Sequence, residues 1–142
     1  MKLVLKVKRL AGEAKIPIYA HQGDAGLDLF SNEKITLLPG ERKIIKTGIA
    51  LEIPEGYTGL VWDKSGLSVN HGLKTLGGVV DAGYRGELMV GLINLSKDEY
   101  VLEKGHKVAQ MLIQKVEKVV VDEVDRLRDT SRGGGGFGST GR

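Results

Sequence analysis

Apolar and polar residues alternate along most of this chain, and the alternation has the period of extended backbone. Leu3, Leu5 and Val7 face one way while Lys2, Lys6 and Lys8 face the other, which predicts a half-buried first strand with Val4 as its exception. Short apolar runs then recur: EKITLL, RKIIKT, IALEI, TGLVW, ELMVGLIN, YVL and KVAQMLIQKVEKVVV. Turn signals separate them at Pro39-Gly40, Pro54-Glu55-Gly56 and Glu103-Lys104-Gly105. Many short, closely spaced strands with almost no helical periodicity predict an all-β sandwich or jelly roll. Two helical turns interrupt the pattern, one over residues 65–70 with Ser65 as its cap and one over 122–128.

The stretch LGGVVDAGYRGE, residues 76–87, predicts a hairpin. Val79 and Val80 start it as strand, Asp81-Ala82-Gly83 turns the chain, and residues 87–94 run back as the most regular strand in the sequence. A hairpin tip holds its side chains still. It would offer a planar ligand bare backbone at Gly77 and Gly78, a carboxylate at Asp81 and a flat face at Tyr84. An ordinary turn accounts for the same Asp and Gly residues.

The rest of the composition narrows the classes. A chain of 142 residues is one domain, long enough for a core without staples. The absence of cysteine removes disulfides, thiolate zinc sites and a Cys nucleophile. His21, His71 and His106 are scattered and have no metal-ligand spacing. The lysine-rich alternation at the amino terminus reads as a strand and not a signal peptide, and no stretch approaches membrane-spanning length, so a cytoplasmic protein without a membrane partner is expected. A net charge of +3 favours an anionic ligand but is too small and dispersed to argue for nucleic acid.

After Arg132 the composition shifts to GGGGFGSTGR, which cannot form a core element. The expected organisation is therefore a β domain over 1–128 and a linker with a mobile glycine-rich arm over 129–142. The arm mimics the spacing of a phosphate loop, but it has no P-loop lysine and no following helix. Its glycine-rich backbone could still converge on phosphate oxygens, with Arg132, Ser139 and Thr140 adding charge and hydroxyls and Phe137 stacking on a base. An RGG-like tail that binds RNA is the competing reading, set back by having only Arg132 and Arg142 as basic residues.

Three further stretches carry chemistry. Asp28 lies between aliphatic residues on a strand, where a carboxylate normally faces solvent, or it reaches a site through the water shell of a magnesium ion. Lys64-Ser65-Gly66 has the look of a phosphate-binding turn at a helix start, or of a plain capped turn. Gln110 sits in a strand so apolar that, if buried, it must find a hydrogen-bond partner, either in the core or on a ligand.

In this order and at this spacing, AGLDLFS, DKSGLS, GGVVDAGYRGE, KGHKVAQMLI and RGGGGFGSTG resemble the five boxes of the homotrimeric dUTPases, the deoxyuridine triphosphate nucleotidohydrolases. The resemblance covers nearly the whole chain. It implies a jelly-roll subunit, a trimer with active sites at subunit junctions, and an arm that closes over a neighbour's ligand. It implies Mg2+-assisted attack of water on the α-phosphorus of dUTP, giving dUMP and pyrophosphate, with Asp81 as the general base and Asp28 at the magnesium water shell. Tyr84 then lies under the deoxyribose, the hairpin backbone at Gly78 and Val80 meets uracil, and Phe137 covers the base. Lys64, Ser65, Gly66 and Gln110 fall to the phosphates, as do Arg132, Gly138, Ser139 and Thr140 of the arm. The related dCTP deaminases share the fold, but their serine-and-arginine-rich active-site segment is not found here. Many family members have Pro-Arg where this chain has Asp63-Lys64; lysine keeps the charge and loses the bidentate fork, and the sequence offers no reason for Asp63.

Overall fold

The computed structural model describes residues 2–141; Met1 and Arg142, at the outer ends of the expected first strand and of the expected arm, lie outside the described residues. Ten strands and one short helix follow in the order β1 (Lys6–Arg9), β2 (Leu27–Phe30), β3 (Ile35–Leu37), β4 (Arg42–Glu52), β5 (Tyr57–Trp62), α1 (Ser65–His71), β6 (Leu73–Leu76), β7 (Val79–Val80), β8 (Glu87–Asn94), β9 (Tyr100–Leu102) and β10 (Lys107–Lys115). They form two four-stranded sheets, β1-β4-β8-β6 and β2-β10-β5-β7, and a two-stranded ribbon, β3-β9, in which every pairing is antiparallel. This is the all-β, jelly-roll-like architecture that the alternation predicts.

Alternation is cleanest in β8, where Leu88, Val90 and Leu92 turn inward and Met89 outward. Leu29, Leu37, Ile45, Leu102 and Met111 meet them in the shared core. Burial of each such side chain stabilises the fold by about 1.5–3 kcal/mol. The expected turns are present: Tyr57 N–H donates to the Pro54 carbonyl at 3.1 Å and His106 N–H to that of Glu103 at 3.1 Å.

Four local expectations are corrected. Val79 and Val80 do not pair with β8. Instead β6 pairs with β8, and in the excursion between them Gly77 and Gly78 take φ of 71° and 116°, turning the chain away so that β7 joins β5 in the other sheet. The turn at Asp81 therefore bridges two sheets and is not the tip of a hairpin. β10 ends at Lys115 and does not run to Val121, because its partner β5 begins opposite, at Tyr57. No helix forms over 122–128, where every residue is exposed and no apolar stripe has a surface to pack on. Residues 65–71 are helical, but the cap position is Lys64 with no side-chain capping bond, and Ser65 is already the first helical residue.

Candidate active site

The site residues of the folded part of the chain gather at two places along β5. The first lies beyond its carboxyl end. β2, β10 and β5 run side by side, and their register puts Asp28, Gln110 and Trp62 in one rung. Both faces of β2 are covered, so Asp28 is only 1% exposed, against the expectation that a carboxylate among leucines faces water.

The buried carboxylate is held by two ammonium groups. Lys64 Nζ donates to Asp28 Oδ1 at 2.6 Å, and Lys107 Nζ stands 3.2 Å from Oδ2 without a well-directed hydrogen bond. Burial pushes the carboxyl up, but the two lysines outweigh it and hold it below the ordinary aspartate value. Lys107 comes into reach through a bulge. It pairs with Phe30 and Ala109 with Leu29, so Val108 is an extra residue, and Lys107 moves to the face that Gln110 and Asp28 share. Strict alternation from Gln110 would have placed it on the opposite face.

Gln110 finds its partner within the protein: Nε2 donates to the Asp63 carbonyl at 2.9 Å. The side chain lies flat against Gly26, where any Cβ would overlap its amide oxygen. Asp63 itself has a structural account. Its carboxylate turns away from the Asp28 cluster, accepting from Thr75 N–H at 2.6 Å and from Lys74 Nζ at 2.7 Å, and so ties the start of α1 to β6. Ser65 and Gly66 follow, both exposed. With seven residues, α1 is too short for its dipole to carry much of an anion's binding.

The second place lies toward the amino end of β5. Val80 pairs with Gly59, and the next residue, Asp81, projects past it beside Thr58 at the rim of a groove. Asp81 is exposed, and its carboxylate makes no hydrogen bond or ion pair among the described residues. Tyr84 is 45% exposed, with its hydroxyl donating to the Glu87 carbonyl at 2.8 Å. The two border a cleft of about 260 Å³ with Val61, Gly78, Val80 and Met89. Gly78 is required there on two counts: its φ is 116°, and a Cβ would come within 2.8 Å of the Val61 carbonyl oxygen. Its own carbonyl accepts from Val61 N–H at 2.8 Å.

Gly59 and Trp62 are three residues apart, about 10 Å along the strand, so Asp81 and the Asp28–Lys64–Lys107 cluster face opposite ends of β5. The arm residues meet neither. Arg132, Phe137, Gly138, Ser139 and Thr140 are all exposed, and the hydrogen bonds that order their segment are local, such as Arg132 Nε to the Gly135 carbonyl at 2.8 Å. What the sequence did not single out is Lys107, because only the bulge aims it, and Thr75, whose backbone N–H anchors Asp63.

Among the described residues no three His, Cys, Asp or Glu side chains lie together as a metal cage. Among the described residues the buried side-chain oxygen that lacks a hydrogen bond is Asp28 Oδ2. A single carboxylate beside two lysines fits contact with the water shell of a cation that arrives on an anionic ligand, not direct ligation.

Comparison with known proteins gives one answer. The dUTPase family model matches residues 12–141. A deoxyuridine 5'-triphosphate nucleotidohydrolase of Clostridium kluyveri is 51% identical over 139 residues, spanning 96% of this chain and 97% of its own. One of Clostridioides difficile is 48% identical over the same length. Among solved structures, a dUTPase variant of Staphylococcus bacteriophage 80alpha with dUpNHpp superposes with a TM-score of 0.92 at 32% identity, covering 98% of this chain and 99% of that one. A dUTPase from phage phi11 of S. aureus, described as coordinating a structural Mg(II) ion, superposes with a TM-score of 0.81 at 31% identity, covering 87% of this chain and 97% of that one. With the fold, the box residues and these relatives in agreement over nearly its full length, the chain belongs to the dUTPase family.

Proposed function

We propose that the protein hydrolyses dUTP to dUMP and pyrophosphate in sites shared between copies, where the Asp28–Lys64 end of β5 in one chain faces the Asp81 turn of another. The observation that carries this reading is the separation of the two half-sites. Both belong to one reaction, yet a single chain holds them toward opposite ends of a strand. Assembly as a homotrimer brings each half to its complement.

In the assembled site, Asp81 accepts a proton from water as the water oxygen bonds to the α-phosphorus. The bond from that phosphorus to the α–β bridging oxygen breaks, and pyrophosphate leaves with the electron pair. Lys64, Ser65 and Gly66 hold the phosphates, and Gln110 fixes the backbone of that turn through the Asp63 carbonyl. Tyr84, tethered by its hydroxyl to Glu87, presents its ring to the deoxyribose, and the backbone of Gly78 and Val80 reads the uracil edge. Asp28 would hold, through water, a Mg2+ arriving with the triphosphate, and such an ion would supply dispersal of the charge that develops on the phosphates.

The arm, residues 129–142, closes over this site. Phe137 has its whole side chain in solvent, ready to cover a base. Ordering such a segment costs about 1–2 kcal/mol per residue, so it settles only when Arg132, Gly138, Ser139 and Thr140 gain phosphate contacts.

Pyrophosphate release from dUTP, dCTP, dTTP and UTP, with magnesium and with chelator, tests the reaction. Release from dUTP alone, dependent on magnesium, is expected; equal release from UTP would remove the role given to Tyr84. Sharing is tested by mixing Asp81→Asn chains with Ser65→Ala chains after co-refolding. Shared sites give the mixture more activity than the average of the two variants, whereas sites confined to one chain give the average.

A further inference from the structure

The bulge at Val108 leaves an observation that the phosphate turn does not account for. It spends an extra residue to aim Lys107 at the face of Asp28, where Lys64 already makes the better bond. A single lysine satisfies a buried carboxylate electrostatically. Two leave the cluster with a net positive charge. Lys15 adds to it, with Nζ donating to the Gly105 carbonyl at 2.9 Å and standing 5.2 Å from the Phe30 ring centre.

These groups border a concave space of about 570 Å³, with Lys15, Lys64, Gly66, His106 and Lys107 on its walls and Phe30 among its lining. The two lysines on Asp28 are not held alike. The Lys64 side chain is 28% exposed with a contact of 2.6 Å; that of Lys107 is 49% exposed with a contact of 3.2 Å. Lys107 is therefore the one free to turn a donor outward, and an ammonium has three donors, so it can reach an anion while staying beside the carboxylate. Asp28 Oδ2, buried and without a hydrogen bond, marks the same point as incompletely satisfied.

We propose that Lys107 is a second cationic arm of the phosphate grip, binding the terminal phosphates of the nucleotide together with Lys64. The proposal rests on the reading that the triphosphate lies over Lys64, Ser65 and Gly66, and it adds a residue to that site. Two cations converging on one carboxylate are close enough to be bridged by neighbouring phosphates, and dUMP lacks the terminal phosphates that this assignment gives to Lys107. Lys107 thus discriminates by phosphate number. It also offsets the loss of an arginine fork at position 64, since two point charges replace one bidentate group.

The test uses the full-length chain with magnesium and compares dissociation constants for dUpNHpp and dUMP by calorimetry, in wild type, Lys107→Met and Lys107→Arg. Lys107→Met is expected to weaken dUpNHpp by about 10-fold or more while dUMP changes little, and Lys107→Arg to restore the ratio. If both ligands weaken equally, or neither does, the proposal is overturned; a lowered melting temperature with the ratio intact shows a structural role only and overturns it too. Lys107→Gln, which keeps a donor for Asp28 without the charge, reads the same ratio should Lys107→Met fail to fold. Failure of wild type to bind dUpNHpp would instead sink the underlying dUTP reading, independently of Lys107.

Discussion

Asp28 and Asp81 are the same side chain in two opposite settings. Asp28 is 1% exposed, hydrogen-bonded by Lys64 on one oxygen with the Lys107 ammonium 3.2 Å from the other; Asp81 is exposed on a turn and makes no ion pair among the described residues. A carboxylate already committed to two ammonium groups is a poor base, because accepting a proton forfeits both contacts. One without partners can take a proton at little cost to the fold. The difference also separates rigidity from reactivity. The cationic end of β5 is held by ion pairs within the chain, whereas the Asp81 end is open, with its carboxylate unpaired among the described residues.

The strongest way to break this contrast is Asp81→Asn. Turnover should fall by about 10²–10⁴-fold, the range for loss of a general base, with dUpNHpp still bound. Because the side chain is exposed and unpaired, stability should stay within about 0.5 kcal/mol of wild type. Normal turnover would show that the base lies elsewhere. Deleting the chain from Arg132 onward comes next. The core residues lie between Ala14 and Met111, so thermal unfolding should be unchanged, while loss of the closing arm lowers kcat/KM by about 100-fold. Full activity in the truncated protein would mean that the open end of the site needs no cover.

The sequence made the strands legible because burial on one face leaves a period of two, as Leu88, Val90 and Leu92 show. It failed where a tertiary partner decides. Val119, Val120 and Val121 have the composition of a strand, but β5 begins at Tyr57 and offers no edge beyond Lys115. The residues around Asp28 left it either facing solvent or reaching a site, because alternation cannot report that β2 is covered on both faces. Asp81, Tyr84 and Gln110 stand out by residue type from their strands and turns, and the structure places the first two at one cleft and the third beside Asp63. Lys107 does not stand out, because a bulge reverses the face that spacing assigns to it. The hairpin at Asp81 failed for a related reason: two glycines with positive φ hand Val79 and Val80 to the other sheet.

The smallest expected effect tests how firmly the cationic end is built. Asp63 stands where the family resemblance leads one to expect proline, and it ties the phosphate turn to β6 through Thr75 N–H and Lys74. Burial pushes its carboxyl up, yet the Lys74 ammonium and the Thr75 bond outweigh burial and hold it below the usual 3.8. A carboxyl lowered on folding stabilises the protein above its unfolded value, and that contribution is lost as pH falls through the folded one. Asp63→Asn keeps the shape and removes the charge. It should destabilise the fold by about 1–2 kcal/mol at pH 7, and the gap between variant and wild type should shrink as pH drops below about 4. Urea unfolding at pH 7 and pH 3 measures both. A gap of the same size at the two pH values would mean that the charge of Asp63 contributes nothing, and that the turn at Lys64 is positioned by backbone geometry alone.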